Sequence, residues 1–159
     1  MTYDEIYMKK ALELAQIASE QGEVPVGAIV VKKSTGEIVG RGFNKREYEK
    51  SPLNHAELIA IDEASRKLGG WRLIDCELFV TLEPCPMCAG AIINSRIERV
   101  VFGAFDTKAG SCGSIINLFD LPYNHKPDLI GGILKDECSD ILSVFFKNLR
   151  MKRKNSDRN

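Results

Sequence analysis

The sequence predicts an α/β fold, a three-layer α/β/α sandwich built on a mixed five-stranded sheet. Three observations predict it. Apolar residues recur at helical spacing in four stretches and in short strand-length runs in five, in the order α-β-β-α-β-α-β-β-α. Strands interleaved with helices imply a sheet covered by helices on both faces. The first two strands are separated only by Ser34–Thr35–Gly36–Glu37, a hairpin connection that makes one pair antiparallel and the sheet mixed.

Each element has its own signal. Thr2 and Glu5 fit a capping box, and Tyr7, Ala11, Leu14, Ala15 and Ala18 then share one helical face until Gly22 stops the helix. Val26–Val31 and Ile38–Val39 are short β-branched runs, followed by Gly42–Phe43–Asn44 and a polar connection through Ser51–Pro52. A second helix starts at His55, with Leu58, Ile61, Ala64 and Leu68 on one side and Gly69–Gly70 as its terminator. Leu78–Phe79–Val80–Thr81–Leu82 is an uncharged buried strand that Pro84 ends, and Pro86 suits the first turn of a helix reaching about Ser95. Val100–Val101–Phe102 forms a fourth strand before a Gly-rich loop from Gly103 to Gly113, and Leu129–Ile130 a fifth. The last helix carries Cys138, Ile141, Leu142, Phe145 and Leu149 at helical spacing.

A chain of 159 residues suits a single domain, here 1–150 with a basic tail at 151–159. Its 44% hydrophobic and 28% charged residues argue against disorder. No run approaches the ~18 uncharged apolar residues of a membrane-spanning helix. The acidic start Met1–Thr2–Tyr3–Asp4–Glu5 lacks the apolar region of a secretory signal. Five cysteines, an odd number, then point to thiol or metal chemistry in a reducing, cytoplasmic setting. The zero net charge argues against a nucleic-acid partner only until it is resolved along the chain. Residues 147–159 hold six bases (Lys147, Arg150, Lys152, Arg153, Lys154, Arg158) and one acid (Asp157). That leaves 16 bases and 21 acids on the other 146 residues. Such an end reads either as a solvated helix terminus or as an arm for a polyanion.

Two short pieces carry chemistry: His55–Ala56–Glu57 at a helix start, and Pro84–Cys85–Pro86–Met87–Cys88 at a strand-to-helix junction. Residues i and i+3 lie on one side of a helix, so Cys85 and Cys88 can present two thiolates to one point. With His55 they make a three-donor zinc set of the catalytic kind, leaving a fourth position open. A lone C-x-x-C also occurs as a thioredoxin-like redox pair, but this one follows the third strand rather than the first. Glu57 stands two residues from His55, a spacing that does not face one ligand point, so it is read as the proton-transferring acid–base group. Together the pieces spell H-x-E…P-C-x-x-C, the signature of zinc-dependent nucleobase deaminases. Cys76, Cys112 and Cys138 are read as small packing residues.

At these residues the sequence closely resembles the bacterial tRNA-specific adenosine deaminases, within the cytidine deaminase-like zinc deaminases. The resemblance runs from Glu23–Val24–Pro25–Val26–Gly27–Ala28 to the helix with Phe145–Phe146, and its most discriminating piece is Val80 to Gly90. Arg99–Val100–Val101–Phe102–Gly103–Ala104, with Asp106, Lys108, Gly110 and Gly113–Ser114 after it, separates this family from cytidine and guanine deaminases. The resemblance implies a cytidine deaminase-like fold and a homodimer holding one Zn²⁺ per subunit. It implies conversion of the wobble adenosine of a tRNA anticodon loop to inosine. By position it implies that His55, Cys85 and Cys88 hold zinc, that Glu57 is catalytic, and that Asn44, Asp106, Asn124, Phe145 and Phe146 contact the RNA. Phe145 also belongs to the apolar stripe of the last helix. Two rival readings stand beside it: a deaminase of a free base or nucleotide, of guanine or cytosine type, and a noncatalytic zinc module that binds RNA.

Overall fold

The computed structural model describes residues 1–157; Arg158 and Asn159, the end of the expected tail, lie outside the described residues. The elements are α1 (Tyr3–Glu20), β1 (Gly27–Lys32), β2 (Glu37–Phe43), α2 (Ala56–Leu68), β3 (Cys76–Leu82), α3 (Pro86–Ser95), β4 (Arg99–Ala104), a 3₁₀ turn (Leu118–Asp120), β5 (Asp128–Gly131) and α4 (Lys135–Asp157). The capping box forms as expected: the Thr2 hydroxyl accepts from the Glu5 amide at 3.2 Å, and the Glu5 carboxylate accepts from the Thr2 amide at 3.3 Å. The sheet order is β2-β1-β3-β4-β5, with β1 antiparallel to both neighbours and β3, β4 and β5 parallel. The sandwich is the predicted one.

The alternation of strand side chains sorts the core into two layers. Ala28, Val30, Leu78, Val80, Val100 and Phe102 meet Ala60 and Ala64 of α2 and Ala89 and Ile92 of α3 on one face. Ile29, Val31, Phe79 and Val101 meet Met8 and Ala11 of α1 and Cys138 of α4 on the other. On β2, Gly42 lets α2 approach closely, since a Cβ there would collide with the Ala56 carbonyl. Phe79 is fully buried and packs against the Tyr7 ring at 5.3 Å, on the face opposite α2. Phe79→Ala is therefore expected to cost about 3–5 kcal/mol of stability, read by urea unfolding. The zinc content of the protein that remains folded should be unchanged.

Three details depart from the sequence reading. β4 continues through Gly103 and Ala104, because the parallel pairing with β3 runs on to Leu82↔Ala104. The Gly-rich loop therefore starts two residues later. It also contains an unforeseen 3₁₀ turn, started by the Asn117 side chain accepting from the Phe119 amide at 3.1 Å, which sends Phe119 into the core beside α3. Finally, α4 passes residue 150 without a break and continues to Asp157. Its apolar stripe faces the body: Cys138 is buried, and Ile141, Leu142, Phe145 and Leu149 are half-buried. No described helix is long and apolar enough to cross a membrane.

Candidate metal centre and active site

The two chemical pieces meet at the N-termini of α2 and α3. His55 is the N-cap of α2 but its ring makes no capping bond. The cap comes instead from Asn44, whose Oδ1 accepts from the Ala56 amide at 2.9 Å. This frees the imidazole to turn toward α3. There Cys85 is the N-cap, Pro86 the first helical residue and Cys88 the third, the spacing at which a cap side chain meets the first turn. Both sulfurs lie 3.6 Å from His55 Nδ1, and the three ligand atoms all lie within 4.8 Å of one another. Tetrahedral zinc, at Zn–S and Zn–N lengths of about 2.3 and 2.0 Å, separates sulfur from nitrogen by about 3.5 Å. The donor set and its spacing fit a zinc ion.

The electrostatics of the metal-free chain agree with a ligand cluster. A hydrogen bond from the Cys88 thiol holds the Cys85 thiol down at about 4, with His55 adding to it against burial. Cys88 goes the other way, raised by Cys85 and then by burial. The two sulfurs thus share one proton. His55 is raised above its ordinary value, chiefly by its bond to Cys85. Glu57, on the first turn of α2 beside Cys88, is 4% exposed, and burial pushes its carboxyl up to about 7.

A cavity of about 470 Å³ opens over this cluster. It is lined by Asn44, His55, Glu57, Cys85, Asp106 and Phe146 among the residues singled out by sequence, while Cys88 lies buried beneath. Asn124 and Phe145 are elsewhere. Asn124 is exposed between the 3₁₀ turn and β5, and Phe145 packs edge-on against Phe146, ring centroids 5.4 Å apart. His125, the second histidine, is bonded to the Ile97 carbonyl at 2.7 Å, away from the cluster. Cys76, Cys112 and Cys138 are buried, and burial raises all three thiols, Cys76 to about 11 and Cys138 to about 12.

Sequence reasoning missed two buried carboxylates that hold the cavity walls. Glu23, 1% exposed, accepts from the amides of Glu47 and Tyr48, next to Arg46 in one wall. Glu83, 2% exposed, accepts from the loop that supplies Asp106 to Ala109 in the other. Burial pulls Glu83 upward, yet the Ser114 hydroxyl and three loop amides together hold it below its ordinary value. The available signal was an acid inside the apolar Val80–Leu82–Glu83–Pro84 stretch, where an unpaired charge is costly.

Comparison with known proteins agrees with this geometry. Residues 1–104 match the family model of the cytidine and deoxycytidylate deaminase zinc-binding region. The chain is 51% identical over 160 residues to the tRNA-specific adenosine deaminase of Bacillus subtilis (strain 168), covering 100% of this chain and 98% of that protein. A solved structure from work on A-to-I editing by tRNA:A34 deaminases at the wobble position of transfer RNA superposes with a TM-score of 0.81. Its identity is 40%, over 85% of this chain and 97% of that one. A guanine deaminase from Nitrosomonas europaea reaches the same TM-score at 24% identity, over 91% of this chain and 85% of that one, which is a likeness of fold. A full-length match at this identity, in a chain whose His and two Cys converge at zinc spacing, means that it belongs to the tRNA-specific adenosine deaminases of the zinc-dependent cytidine and deoxycytidylate deaminase family.

Proposed function

We propose that this chain deaminates adenosine to inosine at the wobble position of a tRNA anticodon loop, by zinc-dependent hydrolysis. The observation that carries this is the full-length identity to a tRNA-specific adenosine deaminase. The cavity, which joins a buried carboxyl to a three-donor metal site, supports it chemically.

In this reading His55, Cys85 and Cys88 hold one zinc ion per chain. When bound, such an ion supplies Lewis acidity that lowers the pKa of water from about 15.7 to about 7. Glu57 takes the proton of the attacking water and passes it to N1 of the adenine ring as the water oxygen bonds to C6. It then delivers the second proton to the exocyclic amine, the C6–N bond breaks, and ammonia leaves. One water and one adenosine become one inosine and one ammonia. A carboxyl held near neutrality suits a group that must both accept and return a proton. Asn44 and Asp106 contact the nucleoside. Phe146, 40% exposed at the cavity rim, offers a face for a neighbouring base. Asn124 is taken as an outlying RNA contact, and Phe145, packed edge-on against Phe146, as the ring that supports it. The target base must leave its stack to enter the cavity, which a single-stranded anticodon loop allows.

The same reading treats residues 1–150 as the deaminase domain and 151–159 as its RNA-positioning extension. Lys147, Arg150, Lys152, Arg153 and Lys154 are all exposed on α4, which supports it. Truncation after Leu149 is expected to weaken anticodon stem-loop binding and to lower the slope of log affinity against log salt by as much as about 3–4. Zinc content should not change. Filter binding from low to high salt checks this, and an unchanged slope returns those cations to a solvated helix end. A homodimer and a cytoplasmic location complete the reading.

The test is inosine detection in an anticodon stem-loop with adenosine at its first anticodon position, with free guanine and cytidine as competing substrates. Inosine should form and the free compounds should persist. A zinc-loaded protein that makes no inosine, or that prefers guanine or cytidine, overturns the proposal.

A further inference from the structure

We infer that Glu83 is a positioning residue for the reaction: it sets the cavity wall by clamping the Asp106–Ser114 loop, and it acts on substrate through Asp106. This rests on reading the cavity as the nucleoside site. Glu83 lies between the end of β3 and Pro84, two residues before Cys85, and its carboxylate is taken up by the loop that follows β4. Oε1 accepts from the Asp106 amide at 3.1 Å and the Ser114 hydroxyl at 2.5 Å. Oε2 accepts from the amides of Cys112 and Ser114 at 3.1 and 3.0 Å. One side chain thus gathers both ends of a loop whose middle, Thr107, Lys108 and Ala109, faces the cavity. A Cβ at Gly110 would collide with the Glu83 carboxylate, so the loop is shaped to let the carboxylate in.

The bonds continue outward to the substrate side. With its amide held by Glu83, Asp106 turns its own carboxylate back on the loop, where Oδ1 accepts from the amides of Lys108 and Ala109 at 3.0 and 3.1 Å. The loop also returns to the metal-bearing segment, the Ser111 amide donating to the Pro84 carbonyl at 2.9 Å. A fully buried carboxylate that accepts three amides and a hydroxyl is a stiff anchor, because hydrogen bonds to an ionised acceptor are stronger than neutral ones. Asp106 therefore keeps a fixed place relative to Glu57 and His55.

Replacement by glutamine divides the anchor unequally. With the amide oxygen in the Oε2 position, Cys112 and Ser114 keep their acceptor, and the amide nitrogen can donate to the Ser114 hydroxyl. Asp106's amide then faces a donor and is released. Glu83→Gln should thus free the Asp106 end of the loop and leave the other end attached.

The experiment has two arms. Amide hydrogen exchange on zinc-loaded wild type and Glu83→Gln should show faster exchange confined to residues 106–110, with thermal midpoint and zinc content near wild type. Kinetics on an anticodon stem-loop should show kcat/KM reduced about tenfold to hundredfold, mainly through KM. In an Asp106→Ala background, Glu83→Gln should cost little more, because coupled residues are not additive. Unchanged exchange in the folded variant, costs that add fully to Asp106→Ala, or loss of zinc overturns the inference. Should Glu83→Gln not fold, Ser114→Ala removes one bond from Oε1 and should give a smaller change of the same pattern; no change there also overturns it. A wild type that makes no inosine defeats the substrate reading and the action on substrate with it, while the exchange arm still decides the clamp.

Discussion

Glu57→Ala should lower inosine formation by about 10²–10⁴-fold while one zinc per chain remains bound. The carboxyl touches the cavity and is not among the three converging donors, so its removal leaves the ligand set intact. What disappears, on the proposed mechanism, is the group that moves protons from water to ring nitrogen to amine. Glu57→Gln keeps the size without the acid–base function and should be nearly as inactive. Stopped-assay inosine quantification beside metal analysis checks both. Wild-type turnover in a zinc-loaded Glu57→Ala leaves the noncatalytic zinc module as the better reading.

The same substitution has a stability signature in the metal-free chain. Below about pH 4.5 the carboxyl is protonated in folded and unfolded chains alike. Between 4.5 and about 7 the unfolded chain ionises while the buried group resists, so the unfolded state binds fewer protons and stability falls as pH rises. Above about 7 the cost is constant. The metal-free Ala variant should lack this component of the decline.

Cys88→Ala should abolish both zinc binding and turnover. Cys88 is fully buried under the cavity, with its sulfur 3.6 Å from His55 Nδ1, so no water-filled space stands ready to replace it. A chelator should remove activity from wild type, and added zinc should restore it to wild type alone. Ligation requires deprotonated sulfur and neutral imidazole. Because Cys85 is held down and Cys88 is held up, binding releases at least one proton, and zinc affinity should fall at least about tenfold for each unit that pH drops. The fall steepens at lower pH as His55, raised by Cys85, also takes up a proton. Chelator competition at several pH values measures this; an affinity flat in pH contradicts it.

The parts of the site legible in sequence were those written in local spacing. His55 and Glu57, or Cys85 and Cys88, sit two and three residues apart, and helix geometry converts that spacing directly into direction. The capping box at Thr2 and Glu5 and the turn at Ser34–Glu37 were readable for the same reason. Contacts across long separations leave no period. Glu83 meets Ser114 across 31 residues, and Glu23 meets Tyr48 across 25, so even where an acid in an apolar stretch signals burial, as at Glu83, no spacing names its partner. Asn44 shows an intermediate case. Resemblance marked it as a base contact, but its Oδ1 holds the first amide of α2, so the Nδ2 hydrogens are what it offers as donors to the cavity it lines. Phe145 and Phe146 are adjacent, and only the helix's rotation decides that Phe146 meets the cavity while its neighbour packs inward.

The unbroken course of α4 makes it a ruler. Phe146, Arg150 and Arg153 fall at i, i+4 and i+7, so they stand in phase on one side of the helix. At about 1.5 Å per residue, Arg153 lies about 10 Å along the axis from the ring at the cavity rim. A base seated at Phe146 and a phosphate held at Arg153 would keep that interval, where a loose tail would let it wander. One alanine inserted after Leu149 would turn the cations by about 100° without removing a single charge. Recognition would then lose its register while the protein kept its net charge.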